Sequence, residues 1–157
     1  MALGPSASAL AALSMVASTS SDSPPSGSDL KCFDAQVYAR IARQTPTIIP
    51  DCGPDCITVS WPWILELNVE RVLKGHVATG SITVLTVQHT WMRTDIPRRW
   101  LLRRNSIGAF NVLRGNAAHL TRCLRGTEPA RPYIHPPTGK TLADLAREGE
   151  AHYGKQP

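Results

Sequence analysis

Every second residue from Ile57 to Val69 is apolar: Ile57, Val59, Trp61, Trp63, Leu65, Leu67 and Val69 share one side of the chain. Thr58, Ser60, Pro62, Glu66 and Asn68 occupy the other side, with Ile64 the one apolar exception. A helix turns every 3.6 residues and scatters such a set around its axis, whereas a strand collects it on one face. This segment is therefore read as a strand with one face in a core. Pro62 lacks an amide donor, which predicts an edge or a bulge there. The pattern slips near Glu70, which predicts a bulge and gives Arg71 an inward slot. Lys74-Gly75 then begins a turn.

The neighbouring segments extend this reading. In "FDAQVYARIAR", Phe33 to Arg43, Val37, Ala39 and Ile41 alternate with Tyr38, Arg40 and Ala42, and Pro46 and Pro50 oppose a long helix, so a strand is expected. "SITVLTVQH", Ser81 to His89, is dense in β-branched residues and reads as another strand. "RRWLLRRN" and "GAFNVLR" supply two more around an Asn105-Ser106 turn. A Pro-rich extended run follows Cys123, and Thr141-Leu142-Ala143-Asp144 has the form of a capping box opening a short helix, with Leu142, Leu145 and Ala146 on one side. The fold class expected is mainly β: a small five-stranded barrel of the OB type with a short C-terminal helix.

At 157 residues the chain has the length of one domain. The organisation expected is a signal-peptide-like and disordered Ser/Pro/Gly linker over 1–31, the barrel over 32–125, and a Pro-rich segment plus helix over 126–157. The apolar stretch Ala9 to Ala17 is too short to cross a bilayer, which takes about 20 apolar residues, and fits a signal-peptide core instead. No cation precedes Lys31, so the usual positive n-region is missing. The formal net charge of +5 permits anionic partners without choosing one.

Cys32, Cys52, Cys56 and Cys123 allow three pairings. "DCGPDC" brackets a Gly53-Pro54 turn, so Cys52–Cys56 is expected to close a tight loop and Cys32–Cys123 to tie the start of the domain to its end. The long bridge would contribute roughly 4–5 kcal/mol by restricting the unfolded chain. Such bonds need an oxidising compartment, the periplasm or the cell exterior. A redox dithiol is disfavoured because the spacer is three residues and a strand follows. A zinc site is disfavoured because no second ligand pair accompanies Cys52 and Cys56.

The run Val69, Arg71, Val72, Leu73, Lys74, Gly75, followed by Gly80, Ile82, Thr83 and Val84, resembles the netrin-like, tissue-inhibitor-of-metalloproteinases-like family. Trp100-Leu101-Leu102 matches a later strand of that family, and the resemblance covers roughly Phe33 to Cys123. It implies a five-stranded OB-type barrel in an exported protein. Metalloproteinase inhibitors of this family grip zinc through a free N-terminal cysteine. Here Asp29-Leu30-Lys31 precedes Cys32, so that mechanism does not carry over.

The candidate binding segment is "TWMRTDIPRRWLLRRN", which interleaves Trp91 and Trp100 with Arg93, Arg98, Arg99, Arg103 and Arg104. Aromatics can stack on bases while arginines follow phosphates, so a polyanion or single-stranded nucleic acid is one reading. The favoured alternative makes Trp100 core, with flanking arginines solvated or laid over it. The five histidines form no catalytic pattern; His89, beside Trp91, is the only one near a candidate groove, and a small hydrolase is the third reading. Thr138-Gly139-Lys140-Thr141 fails as a phosphate loop because Ile134 stands where a glycine is required. The function expected is therefore an exported, non-catalytic binding or structural module, monomeric, without metal or cofactor, of unknown partner, with a protein or an anionic polymer as the candidates.

Overall fold

The structure, a computed structural model, describes Met1 and residues 31–49, 51–55, 57–113 and 119–154. The expected leader and linker over residues 2–30, and Cys56, lie outside the described residues.

The chain forms β1 (Cys32–Phe33), β2 (Ala35–Pro46), β3 (Trp61–Gly75), β4 (Gly80–Gln88), β5 (Arg98–Arg104), β6 (Phe110–Val112), β7 (Thr121–Arg122) and α1 (Leu142–Tyr153). Five of these strands close into a barrel in the order β2-β3-β4-β6-β5. Its neighbours are antiparallel except β4 and β6, which run parallel. This is the five-stranded OB-type barrel with a short C-terminal helix that the alternation predicted. Closure gives each barrel strand two neighbours, although β4 meets β6 only at Val84 and Leu85.

Alternation fills the interior. Val37, Ala39 and Ile41 of β2, Leu65, Leu67 and Val69 of β3, Val84 of β4, and Trp100 and Leu102 of β5 form one buried core. The Trp100 indole N–H donates to the Ala39 carbonyl at 3.0 Å, so the ring's polar edge is satisfied inside the core. Ile64 faces the other way yet is only 5 % exposed. It joins Leu85, Leu145 and Ala146 in a second cluster, where α1 packs on the outside of the barrel. The exception in the β3 pattern is thus the helix-docking residue.

Three bulges bend the long β2–β3 pair: Ala42, Glu70 and Leu73 each lack a partner in the register. The bulge at Glu70 is the one the sequence indicates. Two expectations need correction. β3 begins at Trp61, and Ile57 and Val59 lie in the preceding loop, 87 % and 73 % exposed. Arg71 does not point inward: the Glu70 bulge rotates it outward, where its guanidinium covers the Tyr38 ring at 5.6 Å. Pro62 sits one residue beyond the last β2–β3 pair, where β3 has lost that neighbour, and its carbonyl accepts from Thr47 instead.

Thr141 caps α1 through a complete capping box with Asp144. A bond between Cys32 and Cys123 joins chain positions 91 residues apart and holds β7 parallel beside β1. Cys52 is also disulfide-bonded. No helix among the described residues is long and apolar enough to cross a membrane.

Candidate anion-binding cleft

The strand alternation distributes the tryptophan and arginine residues of 91–104 to separate places. Trp91 is 39 % exposed and stands edge-on to Trp63, with centroids 4.7 Å apart, at the end of the barrel where β3 begins. Arg93 is exposed and paired with Asp95 at 2.7 Å. Its guanidinium is held more basic, and the Asp95 carboxyl more acidic, chiefly by the hydrogen bond between them. Arg98 lies over the Trp100 ring at 5.4 Å and donates to the Arg93 carbonyl. Trp100 is only 5 % exposed, so it offers no face to a ligand.

Arg103 is buried. It pairs with Asp34 at 2.7 Å and donates to the Glu128 carbonyl, pinning the segment after β7 against the start of β2. Arg99 and Arg104 are exposed and have no carboxylate partner among the described residues. They point to opposite sides of β5, because Arg104 lies four positions after Trp100, on the same side of the strand, while Arg99 faces out.

Arg104 leads to a different site. It lines a cleft of about 810 Å³ at the end of the barrel where β3 finishes, together with Asp34, His76, Arg122, Cys123, Leu124, Arg125, Gly126 and Thr127. Each wall has a local cause. Gly75 takes a left-handed φ of 79°, turning the chain so that His76 faces the cleft. The Arg104 side chain rests over Phe110 at 5.7 Å, which steadies its stem. Arg122 and Arg125 flank Cys123, which is tied by its bond to Cys32 and by its N–H donating to the Phe33 carbonyl at 2.8 Å. The 124–127 turn closes through the Thr127 N–H and hydroxyl on the Leu124 carbonyl, with Gly126 at φ 84°.

The electrostatics of this cleft are one-sided. Among the described residues Asp34 is its only carboxylate, and its Oδ2 already accepts from Arg103 and from the Arg104 backbone N–H at 2.6 Å. The guanidinium groups of Arg104, Arg122 and Arg125 have no acceptor among the described residues. Three forked donors with His76 beside them can hold a carboxylate, sulfate or phosphate through charge-assisted hydrogen bonds. Arg122, Arg125 and His76 were not singled out in the sequence as site residues. The available signal was their position: the first two flank a cysteine expected to bridge to the domain start, and the third follows the Lys-Gly corner.

Among the described residues no group of three or more His, Cys, Asp or Glu side chains stands together as a metal site. His89 is exposed at the end of β4. The chain matches no family model, no curated protein and no solved structure in these comparisons.

Proposed function

We propose that this protein is an exported, non-catalytic binding module that holds an anionic group in the arginine cleft. The observation that carries the reading is the convergence of Arg104, Arg122 and Arg125, none paired with a carboxylate, in one cleft beside His76. The three guanidinium groups are exposed, and like charges gathered in one cleft without a counter-charge repel one another, a cost that a bound anion would remove. The Cys32–Cys123 bond supports export, since such bonds persist in oxidising compartments. The likeness of the Val69–Gly75 and Gly80–Val84 runs to netrin-like domains fits the same reading. The barrel itself carries no functional information.

Calorimetric titration of the disulfide-intact chain with inorganic sulfate and phosphate tests this reading. Saturable binding that weakens as ionic strength rises is expected, and it should vanish in the double variant Arg122→Glu, Arg125→Glu. A native chain that binds neither anion refutes the proposal.

A further inference from the structure

The cleft does not end the unpaired positive charge. Tyr38, on the outer face of β2, is in register with Arg71 of β3 on one side and Arg99 of β5 on the other. Both arginines are exposed and neither has a carboxylate partner among the described residues. Glu70, the acid beside Arg71 in the chain, is taken by Arg40 at 3.5 Å. Lys74, paired in register with Gln36, continues the outer face of β3 toward His76 and the cleft, and it too is exposed without an acid partner among the described residues.

We infer that these residues form one cationic track and that its ligand is a linear acidic polysaccharide; this rests on the anion-binding reading of the cleft. Strand geometry sets the dimensions. Arg99 and Arg71 lie two strand spacings apart, about 10 Å, and Arg71 to His76 spans roughly 15 Å along β3. The two legs run at right angles, so the ends of the track lie about 18 Å apart, and a single anion would satisfy only a fraction of it. The cleft, at about 810 Å³, also exceeds what one inorganic anion fills.

The choice of polysaccharide over nucleic acid follows from the aromatics. Binding of single-stranded nucleic acid relies on open rings on which bases stack. The one aromatic residue on the outer-face rung, Tyr38, has the Arg71 guanidinium over its ring. Trp100 is core, and Trp91 stands at the opposite end of β3 from the cleft. A track of guanidinium groups without a stacking platform suits sulfated or carboxylated sugars, which present charge and hydroxyls and no base.

The experiment titrates the full, disulfide-intact chain with inorganic sulfate, with heparin disaccharide, with heparin octasaccharide and with oligo-dT of matched charge. Affinity should rise from disaccharide to octasaccharide by roughly tenfold or more, since contacts along one chain reinforce each other. The variant Arg71→Glu, Arg99→Glu should lose that gain and keep native sulfate and disaccharide binding, with unchanged far-UV circular dichroism. Equal affinity for disaccharide and octasaccharide overturns the track while leaving the cleft in place. Tighter binding of oligo-dT than of octasaccharide also overturns it, in favour of nucleic acid. Failure of sulfate and disaccharide alike removes the cleft reading and the track with it.

Discussion

Gly75 passes so close to Asp34 that a Cβ added to it would lie 2.0 Å from the Asp34 carbonyl oxygen. The two residues meet where β3 turns out of the barrel and the cleft begins, beside the Ala35↔Gly75 pair. This contact, together with the left-handed φ, explains why a Lys-Gly corner stands here. Gly75→Ala should destabilise the protein by roughly 2–4 kcal/mol, the sum of the left-handed penalty and a backbone overlap that no rotamer relieves. Urea unfolding followed by tryptophan fluorescence measures it. A midpoint equal to the native one would show that the corner relaxes freely.

The barrel was legible in the sequence because its signal is local. Alternation needs only the next residue but one, and Trp63 to Val69 displays it without reference to the rest of the chain. The Glu70 slip was visible for the same reason, since it breaks a running pattern. The bulges at Ala42 and Leu73 were not, because both fall where the strands are half exposed and the alternation is weak. Ile57 and Val59 continued the pattern but not the strand, since β2 has already ended opposite Trp63 and nothing remains for them to pair with on that side. The cleft was hidden for a different reason. Arg104 and Arg122 come together only through the pairing of β1 with β7 and the bond across 91 residues, so no short window holds the site.

Gly149, inside α1, is a second close approach, with opposite expectations from helix propensity and from packing. Alanine ordinarily improves a helix over glycine by about 1 kcal/mol. Here a Cβ would meet the Pro46 carbonyl oxygen at 1.9 Å, because α1 lies directly on the end of β2. Gly149→Ala should therefore lower stability and push the helix off Ile64 and Leu85. A higher unfolding midpoint would show that α1 can slide without loss.

The first turn of α1 should be sensitive to acid. The Asp144 carboxyl is held below its ordinary value, first by the Thr141 hydroxyl, then by the Thr141 backbone N–H, with Arg147 adding to both. A carboxyl with a depressed folded value stabilises the fold above its unfolded value of about 3.9, and that contribution fades as pH falls through the folded value. Amide exchange in α1 should accelerate below pH ~4 relative to the barrel, and Asp144→Asn should remove this pH dependence. Equal acid sensitivity in native and variant chains would place the titrating group elsewhere.

The Cys32–Cys123 bond should matter to the cleft beyond its effect on stability. It lies outside the five barrel strands, yet it fixes the segment that carries Arg122 and Arg125. Replacing both cysteines, Cys32→Ser with Cys123→Ser, removes a restraint worth roughly 4–5 kcal/mol by loop entropy. Where the variant remains folded, its sulfate affinity should fall because β7 is left with a two-residue pairing to β1. Native affinity in a folded variant would show that the backbone pairing alone holds the cations in place.

Trp100 and the arginines around it can be separated by one substitution. The indole N–H donates to the Ala39 carbonyl inside the core, and the ring packs with Val37 and Leu102. Trp100→Phe removes that donor and part of the ring volume, so it should cost about 2–3 kcal/mol from the lost hydrogen bond and the space left behind. Arg98, which covers the ring, would lose the larger π face but keep its bond to the Arg93 carbonyl. Because the ring faces no ligand, the variant should bind sulfate and heparin octasaccharide as the native chain does. A stability near native combined with weakened octasaccharide binding would reverse the assignment and make Trp100 a contact residue.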